Sequence, residues 1–70
     1  MAKITLSDGR VVEMREPKVR DIKAVNNITD EFEKEIALIG NLTEMAPTEV
    51  EELSMADFSK LDGALQGFLS

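Results

Sequence analysis

The stretch EFEKEIALIGNLTEMAPTEVEELSMADFSKL, residues 31–61, is where chemistry would have to reside, because it holds most of the acidic residues in the chain. Glu31, Glu33, Glu35, Glu44, Glu49, Glu51, Glu52 and Asp57, with Asp62 just beyond, are the candidates for a calcium or magnesium site or a paired-carboxylate hydrolase. Their spacing supports neither. No segment has the D-x-D-x-D-G-x₅-E form of a calcium loop, and a carboxylate pair needs a formed cleft around its substrate. Capping accounts for Glu33 and Asp57, which fall at expected helix starts, while Glu35 and Glu44 read as solvated faces.

The other reactive side chains are sparse. There is no histidine, cysteine or tyrosine, so the commonest general base, thiolate zinc sites and cysteine nucleophiles are all absent. Ser59 in ADFSKL is a poor acyl-carrier serine, since Phe58 separates it from Asp57 and it falls inside a helix. Ser7-Asp8-Gly9 is a turn and not a phosphate cradle, because no lysine-bearing helix follows. Gly63-x-x-x-Gly67 has the spacing of a membrane dimer motif, but Asp62 and Gln66 exclude a bilayer. Close packing of one helix on another is the plainer reading of that pair, and a self-association face the sharper one. Phe32, Phe58 and Phe68 read as core, not as a stacking platform for bases. No catalytic residue, cofactor or metal is expected.

The elements that must carry these residues follow from pattern. At 70 residues the chain is one small domain, 1–70, with a modest core. No apolar run reaches the roughly 20 residues of a membrane span, and the start, Met1-Ala2-Lys3-Ile4, lacks the apolar core of a signal peptide; the expected location is the cytoplasm. Residues 1–30 carry six Lys/Arg against five Asp/Glu, a balance of +1. Residues 31–70 carry two against nine, a balance of −7, giving the overall −6. An acidic C-terminal half argues against nucleic acid as partner.

The fold expected is α+β, mainly α: an N-terminal β-hairpin at about 3–15, then helices at about 19–28, 31–44, 47–53 and 55–69. KITLSDGRVVEM flanks an Asp-Gly turn with β-prone runs. A three-residue loop, Ser7-Asp8-Gly9 with Gly9 left-handed, puts Ile4, Leu6, Val12 and Met14 on one face. A two-residue turn would set Ile4 opposite Glu13, so the longer loop is preferred. Pro17 ends the strand, and Asp21 sits in the first turn of the next helix. Asn26-Asn27 weaken that helix. Thr29 or Asp30 caps the second one, Asp30-x-x-Glu33 having capping-box spacing. Pro47 suits a first helical position, and Ser54 caps the last helix.

Apolar stripes remain to be covered. Phe32, Ile36 and Ile39 form one, Leu38, Leu42 and Met45 a second, and Phe58, Leu61, Leu65 and Phe68 a third at alternating spacings of three and four. This is more apolar helix surface than one hairpin and a short helix need cover. Phe32, Ile36, Leu38, Leu42, Phe58, Leu61, Leu65, Phe68 and Leu69 are therefore the candidate partner-binding residues. Gly9, Pro17, Asp21, Asp30, Pro47, Ser54 and Asp57 are the expected turn and cap residues.

In order and spacing the segments ITLSDGRVVEMREPKVRDIKAV and EKEIALIGNLTEMAPTEVEELSMADFSKLDGALQGFL resemble the small tail assembly chaperones of long-tailed bacteriophages and prophages, the type grouped with Mu-like and E-like tail proteins. The resemblance rests on Met14-Arg15-Glu16-Pro17, Asp21, Leu38-Ile39, Leu42-Thr43, Pro47, Leu53, Asp57 and Phe68-Leu69. Lys18, where a small hydroxyl residue is usual, and Asn26-Asn27 depart from the pattern. The resemblance implies a protein that binds the helical tape-measure protein in the host cytoplasm and keeps it soluble until tail-tube subunits assemble around it. It also implies absence from the mature virion and a frameshifted longer form that engages tube protein. Self-association is expected as well. The competing reading is a small acidic prophage-encoded regulatory or inhibitor module acting by protein–protein binding.

Overall fold

The Asp8-Gly9 turn sets the first strand pair. In the computed structural model, which describes residues 1–70, β1 (Ala2–Thr5) and β2 (Val11–Met14) are antiparallel, with Ile4 opposite Val12 and Ala2 opposite Met14. Leu6 N–H donates to the Arg10 carbonyl at 2.8 Å, and Gly9 N–H to the Leu6 carbonyl at 3.0 Å. Ser7, Asp8 and Gly9 thus form a three-residue loop. Gly9 has φ +91°, a conformation that costs glycine nothing. Leu6 and Met14 are buried, with Ile4 and Val12 half-buried. Thr5, Val11 and Glu13 face out. The three-residue loop is the register that gives the hairpin its apolar face.

Four helices follow: α1 (Val19–Val25), α2 (Glu31–Thr43), α3 (Pro47–Glu51) and α4 (Met55–Leu69). Their order and the break at Ser54 match the expected architecture, while three ends differ. α1 stops at Val25, not near Ile28, because Asn26 and Ile28 turn back to the carbonyls of Lys23 and Val25. α3 stops at Glu51, two residues early, and Leu53 N–H closes a turn on the Val50 carbonyl. α2 stops at Thr43 because Glu44 is left-handed, at φ 62°. The N–H groups of Glu44 and Met45 both reach back to the Gly40 carbonyl. A Cβ at Gly40 would lie 2.9 Å from the Met45 carbonyl oxygen, so this tight reversal requires glycine there.

α2 is the central element. It packs against α1, α3, α4 and β2, while β1 lies on α4. Met14, Val25, Ile36, Leu38, Ile39, Leu42, Val50, Phe58, Leu61 and Leu65 form one core. Full burial of a side chain such as Ile39 or Leu61 contributes roughly 1.5–3 kcal/mol. Both stripes of α2 therefore go inward except at Phe32, which stays exposed at the start of the helix, because helices and hairpin enclose α2 on several sides. The edge-to-face pair of Phe32 and Phe58, 5.2 Å between ring centroids, closes one end of the α2–α4 contact.

The glycine pair of α4 does not pack as the sequence suggests. A Cβ at Gly63 or Gly67 would meet nothing within 4 Å. Phe58, Leu61 and Leu65 supply the packed face of α4, and the glycines lie exposed outside it.

Candidate functional site

Asp21, Asp30, Glu49 and Asp57 act as fasteners of the fold. Asp30 and Ser54 sit just before α2 and α4, and their side-chain oxygens accept the backbone N–H groups of Glu33 (3.0 Å) and Asp57 (3.2 Å). Each satisfies a donor the helix leaves free. Pro47 is the first residue of α3, and Glu49 accepts the Ala46 N–H at 2.9 Å.

Asp21 and Asp57 are the two buried acids, and each ties the hairpin to a helix. Asp21 takes a two-pronged hydrogen bond from the Arg15 guanidinium, at 2.8 and 2.7 Å, and also accepts the Lys18 N–H at 2.8 Å. The Arg15 hydrogen bonds are the main reason its pKa falls to about 2, against a burial effect that would raise it. Arg15 N–H in turn donates to the Leu42 carbonyl at 3.1 Å, fixing the end of β2 to the end of α2. Pro17, half-buried, lies between Arg15 and α1 and supports the direction change.

Asp57 accepts the Ser7 N–H at 2.9 Å and the Ser7 hydroxyl at 2.8 Å. These bonds join the hairpin loop to the first turn of α4 and hold the Asp57 pKa below the usual carboxylate range, led by the Ser7 backbone bond. Lys60 stands 3.8 Å from the same carboxylate and donates to the Thr5 carbonyl at 3.3 Å.

Glu35 corrects the sequence reading. It is not a solvated face residue. Its carboxyl is half-buried between α2 and α4, beside Asp62. With both groups ionised, the buried Asp62 Oδ1 has no donor. A protonated Glu35 supplies one. That hydrogen bond, then burial, then the negative charges of Asp62 and Glu31 push the Glu35 pKa up to about 7. Helical spacing held a signal: Glu35 lies three residues before Leu38 and seven before Leu42, and Asp62 three before Leu65, so both flank buried stripes. The Arg15–Asp21 and Ser7–Asp57 ties had no such signal, because each depends on how the hairpin folds back.

No group of three or more carboxylates converges to hold a metal ion, and no helix is long and apolar enough to cross a membrane. Of the residues singled out for partners, Ile36, Leu38, Leu42, Phe58, Leu61 and Leu65 lie in the core. Phe32 and Leu69 are 48% and 50% exposed, and Phe68 is half-buried. Val19, Ile22 and Met55 are exposed as well, without having been singled out.

Two of the four surface clefts border Phe32, Met55 and Leu69. Ile22, Val25, Leu38, Leu65 and Leu69 line one of about 180 Å³ between α1 and the end of α4. Phe32, Ile36, Val50, Leu53, Met55 and Phe58 line the other, about 450 Å³, where α2, α3 and α4 begin or end. Such an arrangement offers apolar contact surface, with Glu31, Lys34 and Glu35 on the wall of the first cleft and Glu33 and Glu51 on that of the second.

A family model described as phage tail assembly chaperone proteins, E, or 41 or 14, matches residues 4–70. The chain belongs to this tail assembly chaperone family. The match takes in the second half of β1, all of β2 and all four helices of the chaperone fold. No curated protein and no solved structure matches the chain.

Proposed function

We propose that the chain binds the helical tape-measure protein of a phage or prophage tail and keeps it soluble until the tail tube assembles around it. The observation that carries this reading is a pair of apolar patches left in solvent on an acidic helical domain: Phe32 and Met55 by the start of α4, and Leu69, beside the half-buried Phe68, at its end. Exposed apolar clusters with a polar rim mark contact surfaces. A long helical client with its own apolar stripe would lose water at these residues, while the net charge of −6 keeps the pair from precipitating. The role is non-catalytic and belongs in the host cytoplasm during assembly, with the chaperone leaving before the virion matures. Tube protein would engage through a frameshifted longer form.

Co-expression with the tape-measure protein encoded in the same tail gene cluster tests the reading. The client is expected to move into the soluble fraction and co-purify. Phe32→Asp and Leu69→Asp should each weaken that capture while leaving the fold intact. A client that stays insoluble with the wild-type chain, and does not bind it on refolding, overturns the reading.

A further inference from the structure

The groove lined by Phe32, Leu53 and Met55 has a one-sided charge. Glu33 and Glu51 stand at its rim, and no Lys or Arg lines it. Neither glutamate has an ion-pair partner within the chain, since the ion pairs are Arg10–Asp8, Arg15–Asp21, Lys34–Glu31 and Lys60–Asp57. The cations left over are Lys3, Lys18, Arg20 and Lys23. Three of these lie on or beside α1, and all three are exposed.

The same helix carries apolar residues that remain exposed. Val19 is 85% and Ile22 41% exposed. Three residues apart, they share one face, with Arg20 and Lys23 alongside. The one acid of α1, Asp21, is buried and already held by Arg15. α1 therefore presents a basic, apolar ridge. Its cleft, with Ile22 and Leu69, shares no residue with the acidic groove. Ridge and groove are separate surfaces, so one copy cannot fill its own groove.

We propose that the acidic groove between α2, α3 and α4 takes the α1 ridge of a second copy of this chain. Val19 and Ile22 of one copy enter between Phe32 and Met55 of the next, and Arg20 and Lys23 meet Glu33 and Glu51. The contact joins two different patches, so it is head-to-tail and leaves a free ridge and a free groove at the ends. A client helix bound at the groove would compete with it, but the association itself needs no client.

Sedimentation of the full chain alone tests this. Average mass should rise with concentration between about 10 µM and about 1 mM, over several sizes instead of a single dimer. It should fall again as salt rises toward about 1 M, where the screening length is about 3 Å. Arg20→Glu with Lys23→Glu, and separately Glu33→Lys with Glu51→Lys, should each weaken association at least about tenfold. All four positions are exposed, so the fold should survive, as circular dichroism would check. Mixing the two charge-reversed proteins should restore association, because each ridge then finds a groove of opposite sign. Met55→Gln, which leaves charge alone, should weaken it as well. The proposal is overturned if the wild-type chain stays monomeric throughout. It is equally overturned if association survives both charge reversals, if the mixture fails to recover, or if a foreign basic amphipathic peptide fills the groove while the chain itself does not associate.

Discussion

Replacing Glu35 with Gln should stabilise the protein at neutral and alkaline pH. Glu35 and Asp62 sit side by side in the α2–α4 contact, and without a shared proton the buried Asp62 Oδ1 has no donor. The glutamine amide would supply an N–H permanently and remove one negative charge. The Glu35 pKa is raised from 4.5 to about 7. Because the folded state holds its proton more tightly than the unfolded chain, stability falls as pH climbs from about 4.5 to about 7 and is level above that. Converted in full, the shift corresponds to about 3 kcal/mol above the upper value. Glu35 is only half-buried, and solvent screening reduces this to about 1–2 kcal/mol. Urea unfolding of wild type and Glu35→Gln at about pH 5, 7 and 8.5 measures it. The variant should exceed wild type by that amount at the highest pH, with the gap closing toward the lowest. A variant less stable at about pH 8.5, or two parallel pH profiles, would refute the shared-proton argument.

Other substitutions probe the remaining fasteners. Arg15→Ala leaves the buried Asp21 carboxylate without its guanidinium and should lower the melting temperature by on the order of 5–10 °C; wild type should also lose stability as pH falls from 3.8 to about 2, the window set by the depressed Asp21 pKa. Ser7→Ala removes one hydrogen bond to Asp57 and should cost about 1 kcal/mol in denaturant unfolding. Glu44→Gly relieves a left-handed non-glycine residue at the end of α2 and should add about 1 kcal/mol by the same measurement. Gly63→Ala, at a helical position with open space around it, should raise stability by up to about 1 kcal/mol.

The local features were legible because local chemistry decides them. The Asp8-Gly9 turn, Pro17, Asp30, Pro47 and Ser54 act on their immediate neighbours, and the strands and helices begin where these residues put them. The helix ends were less legible. Asn26 and Glu44 mark where α1 and α2 stop, yet neither is a strong terminator, and for α2 the deciding contact is the approach of Met45 to Gly40. The carboxylates divide the same way. Capping by Asp30 follows from sequence, whereas the partners of Asp21, Asp57 and Glu35 come from elsewhere in the fold. The apolar stripes were read correctly as stripes. Which residues stay in solvent depends on how completely the hairpin and α3 enclose α2, and periodicity carries no information on that. Hence Val19 and Met55 were not anticipated as exposed, and six of the nine candidate partner residues lie in the core.

The Ser7–Asp57 bond spans 50 positions of chain, and this bears on when the protein can fold during synthesis. At about 5–20 residues per second the ribosome delivers Asp57 roughly 3–10 s after Ser7. An isolated hairpin opens and closes in about 1–10 µs and is barely stable. The nascent hairpin therefore samples its register many times before α4 exists to hold the loop. Arg15 and Asp21 can meet early, being six apart, but they anchor only the far end of β2. Closure of the domain waits for the start of α4 to leave the exit tunnel. Until then the apolar faces of β1, β2 and α2 are open to whatever other chain is being made nearby.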